Sequence, residues 1–279
     1  MIQCTLCGGN SCTPVIQEGA WQYFRCCHCG LVFLHPQPSE LFLTEHYQHY
    51  LPAEAQAVES WRRLMLPVMA RSALLIEDRF PFPGRLLDVG CGYGFFLKLM
   101  AQRGWQVEGI EISATGREYA RHTLGLEVSA QPLPRIDWPA AQFDVITLFY
   151  VIEHLADPRA VLTEVRRLLR PGGLLLLRWP HTTPLARLLK PWAASLKLYQ
   201  APSHLFDFAP RTITRLLTDL DFQEIRTTIG GWTQPENRGA RLAAAVFGRM
   251  GEGMARLSRG RWLLPGVSKT TLAVRGHSG

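Results

Sequence analysis

The sequence has few features of a membrane or a disordered protein. No stretch reaches the ~18 uninterrupted apolar residues that a membrane span needs, and the N-terminus has no apolar signal core. Charged residues make up only 19% of the 279 residues, against 47% hydrophobic residues, which excludes a disordered chain. Internal repeats are also absent, which excludes a solenoid. We therefore expect a cytoplasmic protein with one full α/β domain and a small additional module.

Cysteine is scarce outside one short region, where five of the seven cysteines form two tight clusters. Two C-x-x-C pairs within these clusters are separated by 18 residues, a spacing typical of zinc ribbons. In a reducing compartment this pattern indicates a metal rather than disulfides. Four thiolates leave no open coordination position, so we predict one structural zinc ion. Its predicted ligands are Cys4, Cys7, Cys26 and Cys29. Free cysteines without metal are the alternative.

Positive charge is rare in this N-terminal region, although the chain carries a net charge of +7. Residues 1–38 contain a single Lys or Arg, Arg25, whereas a surface that binds phosphates needs several cations. Nucleic acid is therefore not the expected partner. From Gly230 onward, eight cationic residues stand against two glutamates, which indicates a solvated basic face or a patch for an anionic substrate or membrane surface. The eight are Arg238, Arg241, Arg249, Arg256, Arg259, Arg261, Lys269 and Arg275.

Strand and helix patterns alternate after a Pro-rich break at 80–84. Strands are predicted at "RLLDV", "WQVEGIEI", "FDVITLFYV", "LLLLRW" and "EIRTTI". Ser113 and Asp157 are predicted N-caps of two of the intervening helices, and Pro171-Gly172-Gly173 is predicted to end the second of these. This alternation predicts an α/β fold with a mostly parallel sheet covered on both faces.

A glycine-rich loop, "DVGCGYG" at 88–94, follows the first of these strands. Gly90, Gly92 and Gly94 allow the backbone to turn tightly and to approach a ligand closely. The spacing differs from the G-x-G-x-x-G of dinucleotide sites. Glu111 ends the next strand, where a carboxylate can accept hydrogen bonds from both hydroxyls of a ribose. The combination predicts a nucleoside-type cofactor at the carboxyl edge of the sheet.

Residues 84–230 resemble the class I S-adenosylmethionine-dependent methyltransferases, through "LLDVGCGYGFFLKLM", "VEGIEIS", "FDVITLFYVIEHLADPRAVLTEVRRLLRPGGLLLL" and "SHLFDFAPRTITRLLTDLDF". The resemblance implies a doubly wound, mostly parallel seven-stranded Rossmann-like sheet. It implies S-adenosylmethionine as cofactor and an enzyme that transfers its methyl group. The domains would be a zinc ribbon at 1–45, a helical linker at 46–82 and a methyltransferase domain at 83–279. Implied cofactor-binding residues are Asp88, Gly90, Cys91, Gly92, Gly94, Glu111, Ile112 and Ser129; the Asp found near the adenine in many members corresponds to Ser129 or Ala130 here.

The opening C-x-x-C…C-x-x-C-G-L-V-F-x-x-P-x-P-S also resembles zinc modules fused to such enzymes, including some deoxysugar C-methyltransferases. This implies a cap over a small or carrier-linked acceptor, such as a sugar or another natural-product intermediate. Those enzymes use a histidine in a similar H-L-x-x-F context as base, which corresponds to His204 here. Their preceding Tyr and Glu are replaced by Pro202 and Ser203. His154, after the fourth strand, is a second candidate base.

Several questions stay open at this level. Tyr150 is a more distant catalytic candidate, and the sequence decides neither the acceptor nor O-, C- or N-methylation. The alternatives are a ribbon-containing RNA or DNA methyltransferase and a non-catalytic cofactor-binding protein.

The segment at 184–199 mixes aromatic, apolar and basic residues, which predicts a lid or part of the acceptor pocket. With the basic tail, it also allows weak peripheral membrane contact. The oligomeric state is left undetermined.

Overall fold

A computed structural model of the chain describes residues 2–190, 192–258, 260, 262–265 and 267–277. The strands are β1 (Cys12–Glu18), β2 (Trp21–Cys26), β3 (Val32–Leu34), β4 (Arg85–Val89), β5 (Gln106–Ile110), β6 (Val128–Ser129), β7 (Phe143–Phe149), β8 (Leu169–Trp179), β9 (Phe206–Asp207), β10 (Phe222–Thr228) and β11 (Lys269–Arg275). The α-helices are α1 (Glu40–Gln48), α2 (Ala55–Glu77), α3 (Phe95–Ala101), α4 (Ala114–Glu118), α5 (Pro158–Leu168), α6 (Thr183–Leu188), α7 (Pro210–Asp219) and α8 (Arg238–Leu257).

The larger sheet has seven strands in the order β10-β11-β8-β7-β4-β5-β6. The five strands from β8 to β6 are parallel, and β11 pairs antiparallel with both β8 and β10. Helices connect β4 to β5, β5 to β6 and β7 to β8, and apolar side chains of β4, β7 and β8 are almost fully buried. The predicted doubly wound, mostly parallel sheet is therefore confirmed. Because β4 lies between β7 and β5, its carboxyl end is at the position where the strand order reverses.

The helix ends follow the sequence signals in part. Ser113 caps α4 and Asp157 caps α5, each by accepting a hydrogen bond from a backbone N–H three residues later, as predicted. The predicted end of α5 at Pro171-Gly172-Gly173 is wrong. The helix stops at Leu168, because Leu169 turns to an extended conformation and pairs with Phe143 of β7. The Pro-Gly-Gly stretch therefore lies within β8.

Helix α2, which lies between the cysteine module and β4, packs against the large sheet and α3. The buried face of α2 carries Met65, Val68, Met69, Ala73 and Ile76, which share one apolar cluster with α3 and with residues of β4, β7 and β8.

Among the described residues, no helix has the length and hydrophobicity needed to span a membrane.

A second, smaller sheet joins the N-terminal module to the remainder of the chain. Its order is β1-β2-β3-β9, with antiparallel pairing throughout. Strand β9 comes from the segment that follows β8, so the module is bonded to the large domain through its backbone. Leu34 N–H also donates to Leu205 O at 2.8 Å, which continues this connection. His204, one of the two candidate bases, directly precedes Leu205.

Candidate active site

The glycine loop lies between the carboxyl end of β4 and the start of α3. Gly90, Gly92 and Gly94 all have positive φ angles, and Gly94 occupies the N-cap of α3. A Cβ atom on Gly90 would lie 2.5 Å from Val151 Cγ2, so a side chain does not fit there. The N–H groups of Gly90 and Cys91 both donate to Ile110 O, which fixes the loop against the end of β5.

Two buried carboxyl groups flank this loop. Glu111 accepts a hydrogen bond from Gly92 N–H and one from Ser113 N–H, each at 2.7 Å and each on a different oxygen. Each oxygen retains a further lone pair with which it could accept a ribose hydroxyl. Asp88 accepts from Thr147 Oγ1 at 2.6 Å, and burial raises the pKa of its carboxyl to about 7. Burial likewise raises the pKa of Glu111, against the lowering effect of these N–H donors.

The remaining predicted cofactor residues surround the same edge of the sheet. Cys91 is buried, and burial raises the pKa of its thiol well above the ordinary value, so the thiol is protonated at neutral pH. Ile112 follows Glu111 and accepts a hydrogen bond from Arg117 through its carbonyl. Ser129 ends β6, where its carbonyl accepts from Glu111 N–H at 3.0 Å. The structure thus groups the predicted residues around the carboxyl edge of the large sheet, and their contacts with a cofactor stay a prediction.

The residues that precede and begin α2 cover the glycine loop, which the sequence interpretation missed. Tyr93, fully buried in this loop, donates a hydrogen bond to Pro52 O at 2.6 Å. Leu51 and Trp61 both approach within 3.8 Å of the position that a Cβ on Gly92 would occupy. The segment around 51–61 therefore closes one side of the cofactor region.

The two candidate bases lie against each other. His154 is in a short 3-10 turn (Ile152–His154) after the carboxyl end of β7, and His204 precedes β9. Their ring centroids are 4.7 Å apart at an interplanar angle of 76°. Burial lowers the pKa of His154 to about 4 and that of His204 to about 3. Both rings are therefore neutral at pH 7.

Two further groups at this histidine pair were not singled out from the sequence. Tyr47 of α1 donates its hydroxyl to Ser203 O at 2.7 Å and lies 2.8 Å from His154 Nδ1, which is itself 2.8 Å from Ser203 O. These contacts orient the ring of His154. Glu153 is buried with both carboxylate oxygens lacking a described hydrogen-bond partner. Burial raises the pKa of Glu153 to about 8.

The donor atoms of Glu153, His154 and His204 all lie within 4.8 Å of one another. One carboxylate oxygen and two imidazole nitrogens are a set that a divalent cation could use. Without a cation, the raised pKa keeps Glu153 mainly protonated at pH 7, which avoids a buried unpaired charge. Tyr150 lies elsewhere: its hydroxyl accepts from Arg178 Nε at 3.1 Å, and the described contacts do not bring it to the histidine pair.

The four predicted zinc ligands converge, with all four Sγ atoms within 4.8 Å of one another. Cys4 and Cys29 Sγ are 3.6 Å apart, and Cys7 and Cys26 Sγ are 3.5 Å apart. Disulfide sulfurs would be about 2.05 Å apart, whereas tetrahedral Zn–S bonds of about 2.3 Å place sulfurs about 3.8 Å apart. Without a metal, burial raises the pKa of Cys4 to about 11 and also raises that of Cys29, whereas backbone N–H donors of Cys29 and His28 outweigh burial and lower that of Cys26 to about 6. The arrangement therefore fits a four-thiolate metal site.

The N-terminal module holds the segment that contains His204. Tyr23 of β2 donates its buried hydroxyl to His204 O at 2.6 Å, and the same hydroxyl oxygen lies 3.1 Å from Tyr199 O. The carboxylate of Glu18, also buried, accepts from Tyr199 N–H and Ala201 N–H. The backbone around the candidate base is thus positioned by β1, β2 and β3 rather than by the large sheet alone.

The segment at 184–199, predicted as a lid, begins in α6 and is held at its end by these Tyr199 contacts. Leu188, Trp192 and Leu196 are exposed on it. Pro191 lies outside the described residues. Its role as a lid stays a prediction.

The sheet order, the glycine loop at its switch point and the acidic residue directly after β5 define a class I S-adenosylmethionine-dependent methyltransferase. A family model described as "Methyltransferase domain" matches residues 47–227. The chain belongs to this methyltransferase family.

Curated relatives agree with this class. The chain is 34% identical over 140 residues to the ubiquinone biosynthesis O-methyltransferase of Pseudomonas paraeruginosa, covering 48% of this chain and 60% of the relative. It is 32% identical over 136 residues to the enzyme of the same name from Idiomarina loihiensis, covering 47% of this chain and 53% of the relative. The chain thus spans only a little over half the length of these relatives.

Solved structures share the fold at low identity. Phosphoethanolamine N-methyltransferase 2 of Haemonchus contortus has a TM-score of 0.59 at 14% identity, covering 95% of this chain and 71% of that one. A SAM-dependent methyltransferase from Archaeoglobus fulgidus has a TM-score of 0.53 at 18% identity, covering 85% of this chain and all of that one. At such identities the likeness concerns the fold alone.

Proposed function

We propose that the protein transfers the methyl group of S-adenosylmethionine to an ionisable hydroxyl of a small or carrier-linked acceptor, such as a sugar or another natural-product intermediate. The observation that carries this proposal is the neutral His154–His204 pair, at 4.7 Å, held between the edge of the large sheet and the N-terminal module. The names of the curated relatives, which are O-methyltransferases, support oxygen as the acceptor atom.

The proposed roles follow from position. The bound cofactor supplies an activated methyl group whose leaving thioether is neutral. Gly90, Gly92 and Gly94 admit the methionine part of the cofactor, and Glu111 accepts hydrogen bonds from the ribose hydroxyls. His204 accepts the proton that the acceptor hydroxyl loses as it attacks, with His154 beside it as the second candidate. Loss of the Glu153 proton to solvent would leave a carboxylate that offsets the charge of the resulting imidazolium.

The N-terminal module is proposed to hold one structural zinc ion through Cys4, Cys7, Cys26 and Cys29. The sulfur positions support this proposal. With all four positions taken by thiolates, the metal has no site for an acceptor. Its proposed contribution is the stability of the small sheet, and through that sheet the position of His204.

A cavity of about 520 Å³ lies beside the second cysteine pair, and its described lining residues include neither the glycine loop nor the histidine pair. It is lined by Arg25, Arg211 and Arg215, and no ion pair or hydrogen bond is described for these three side chains. The fold thus adds two cations to the single arginine of the ribbon. Three cationic side chains around one cavity could bind a phosphate group of the acceptor or of its carrier.

Replacing Glu111 by alanine is expected to weaken S-adenosylmethionine binding by roughly 1–3 kcal/mol, because ribose hydroxyls would lose their acceptor. Isothermal titration calorimetry measures this directly and needs no knowledge of the acceptor. Glu118→Ala, at an exposed position of α4, is the matched control and should bind like the wild type. Equal affinity of Glu111→Ala and Glu118→Ala would remove Glu111 from the cofactor site.

Cofactor affinity is expected to rise with pH through the range in which Asp88 ionises. Because burial raises the pKa of Asp88 to about 7, its carboxyl is largely neutral below that pH and charged above it. The sulfonium of S-adenosylmethionine is cationic, so the ionised form should bind it more tightly. Calorimetric titrations between about pH 6 and about pH 7.5 test this. Asp88→Asn should flatten the profile, and an unchanged slope in that variant would assign the pH effect to another group.

A transfer assay with radiolabelled S-adenosylmethionine would test the acceptor class. Phenols, sugars, sugar nucleotides and RNA should be offered in parallel. Label on hydroxylated small molecules is the expected result. Exclusive labelling of RNA would replace the proposal by the nucleic-acid alternative.

A further inference from the structure

Helix α8 places its small residues inward and its bulky apolar residues outward. Its buried positions are Gly248, Gly251 and Ala255. A Cβ on Gly248 would lie 2.5 Å from Trp232 Cδ2, so the helix backbone packs directly on that ring. The exposed side chains include Leu242, Val246, Phe247, Met250 and Leu257, of which Leu257 is 88% exposed. A helix stabilised only by burial in its own domain would have the opposite arrangement.

The exposed apolar side chains form one continuous face. At about 100° per residue, Leu242, Val246, Met250 and Leu257 fall within an arc of about 80°, and Phe247 extends it on one side. Trp262 is 69% exposed and lies close to the end of the helix, where its backbone N–H donates to Ser258 Oγ at 2.8 Å. Tryptophan is enriched where proteins meet the headgroup region of membranes. We refer to this surface as the α8 face.

Positive charge borders the α8 face. By the same geometry, Arg238, Arg249 and Arg256 fall within about 20° of one another along one border of the face. None of these arginines has a carboxylate partner among the described ion pairs. The one carboxylate of α8, Glu252, accepts from Gly231 N–H and pairs with Arg71. Arg249 also lies over the Trp232 ring, and the border is cationic without a neutralising carboxylate among the described residues.

We propose that the α8 face docks the protein on an anionic lipid surface, with the apolar side chains at the level of the acyl-chain boundary and the arginines at the headgroups. Burial of an apolar helical face together with cationic side chains is the arrangement that binds interfaces of this kind. Phosphate headgroups supply the negative charge that the arginines lack in the protein. A second copy of the chain fits less well, because its own α8 face offers the same arginines and no free carboxylate. The proposal is independent of the methyl acceptor.

Vesicle co-sedimentation of the full-length protein tests the proposal. Vesicles of phosphatidylcholine with phosphatidylglycerol should bind the protein at low salt, and vesicles of phosphatidylcholine alone should bind it at least about tenfold more weakly. The triple variant Leu242→Gln/Phe247→Gln/Leu257→Gln should lose binding, and Arg238→Gln/Arg256→Gln should weaken it about tenfold or more. These side chains are exposed, so the variants should keep the fold.

Matched controls lie at exposed sites outside α8. Phe82→Gln removes an apolar side chain that is 81% exposed, and Arg121→Gln removes an exposed cation; both should bind vesicles like the wild type. Three results would overturn the proposal. These are no binding to anionic vesicles, equal loss in the control variants, or light-scattering masses showing a dimer that the triple variant abolishes while vesicle binding is absent.

Discussion

Cys29→Ser is expected to release the zinc ion and to unfold the N-terminal module. Metal binding by four thiolates in a small module contributes about 10–16 kcal/mol in comparable peptides, far more than the module's own core can supply. Cys29 is buried, and its carbonyl also accepts a hydrogen bond from Thr212 Oγ1. Elemental analysis should find one zinc per wild-type chain and none in the variant. Limited proteolysis should then cleave within residues 2–38 while leaving the α/β domain intact.

The chain offers a close control for this experiment. Cys27 lies between the predicted ligands Cys26 and Cys29 in the sequence, but it is exposed and outside the sulfur cluster. Cys27→Ser should therefore keep the zinc and resist proteolysis. Zinc-free wild-type protein with a protease-resistant N-terminus would contradict the assignment of a zinc-stabilised module. A second equivalent of metal, retained in Cys29→Ser and lost in Glu153→Gln, would indicate that the histidine pair also binds a cation.

Local signals predicted the parts of the fold whose contacts are close in sequence. β4 covers "RLLDV" as predicted, since a short apolar run between a Pro-Gly break and a glycine loop fits a buried strand. Ser113 and Asp157 cap their helices because a side-chain oxygen three residues before a free N–H needs no tertiary partner. The end of α5 was mispredicted, because pairing with β7 extended the chain before its Pro-Gly-Gly stretch.

The parts that could not be predicted depend on distant partners. Strand β9 has two residues and exists through its pairing with β3, more than 170 positions earlier in the chain. Tyr47 meets His154 across a separation of 107 residues, although the run of His and Tyr at 46–50 was a visible signal. Glu153 was overlooked because a glutamate is ordinarily exposed, and only the packed site shows its burial.

These distant contacts also give the N-terminal module a direct link to the chemistry. Its sheet continues into β9, and Tyr23 binds the carbonyl of His204 itself. Loss of the module would therefore displace the candidate base without touching the glycine loop. A zinc-depleted protein should accordingly retain cofactor binding while losing methyl transfer.

His204→Ala is expected to lower kcat for methyl transfer at least ~10²-fold while leaving cofactor affinity unchanged. His204 is the candidate base that the N-terminal module positions, and its ring contacts His154 rather than the glycine loop. Because burial lowers the pKa of His204 to about 3, the ring is neutral at pH 7. The substitution keeps the backbone carbonyl that receives the hydrogen bond from Tyr23, so the module should stay attached.

Steady-state kinetics on an acceptor found in the transfer assay, with calorimetry for the cofactor, separate the two effects. His122→Ala, at an exposed site, is the matched control and should keep full turnover. Near-wild-type turnover of His204→Ala would exclude His204 as the base, and a large loss in His154→Ala would then assign that role to His154.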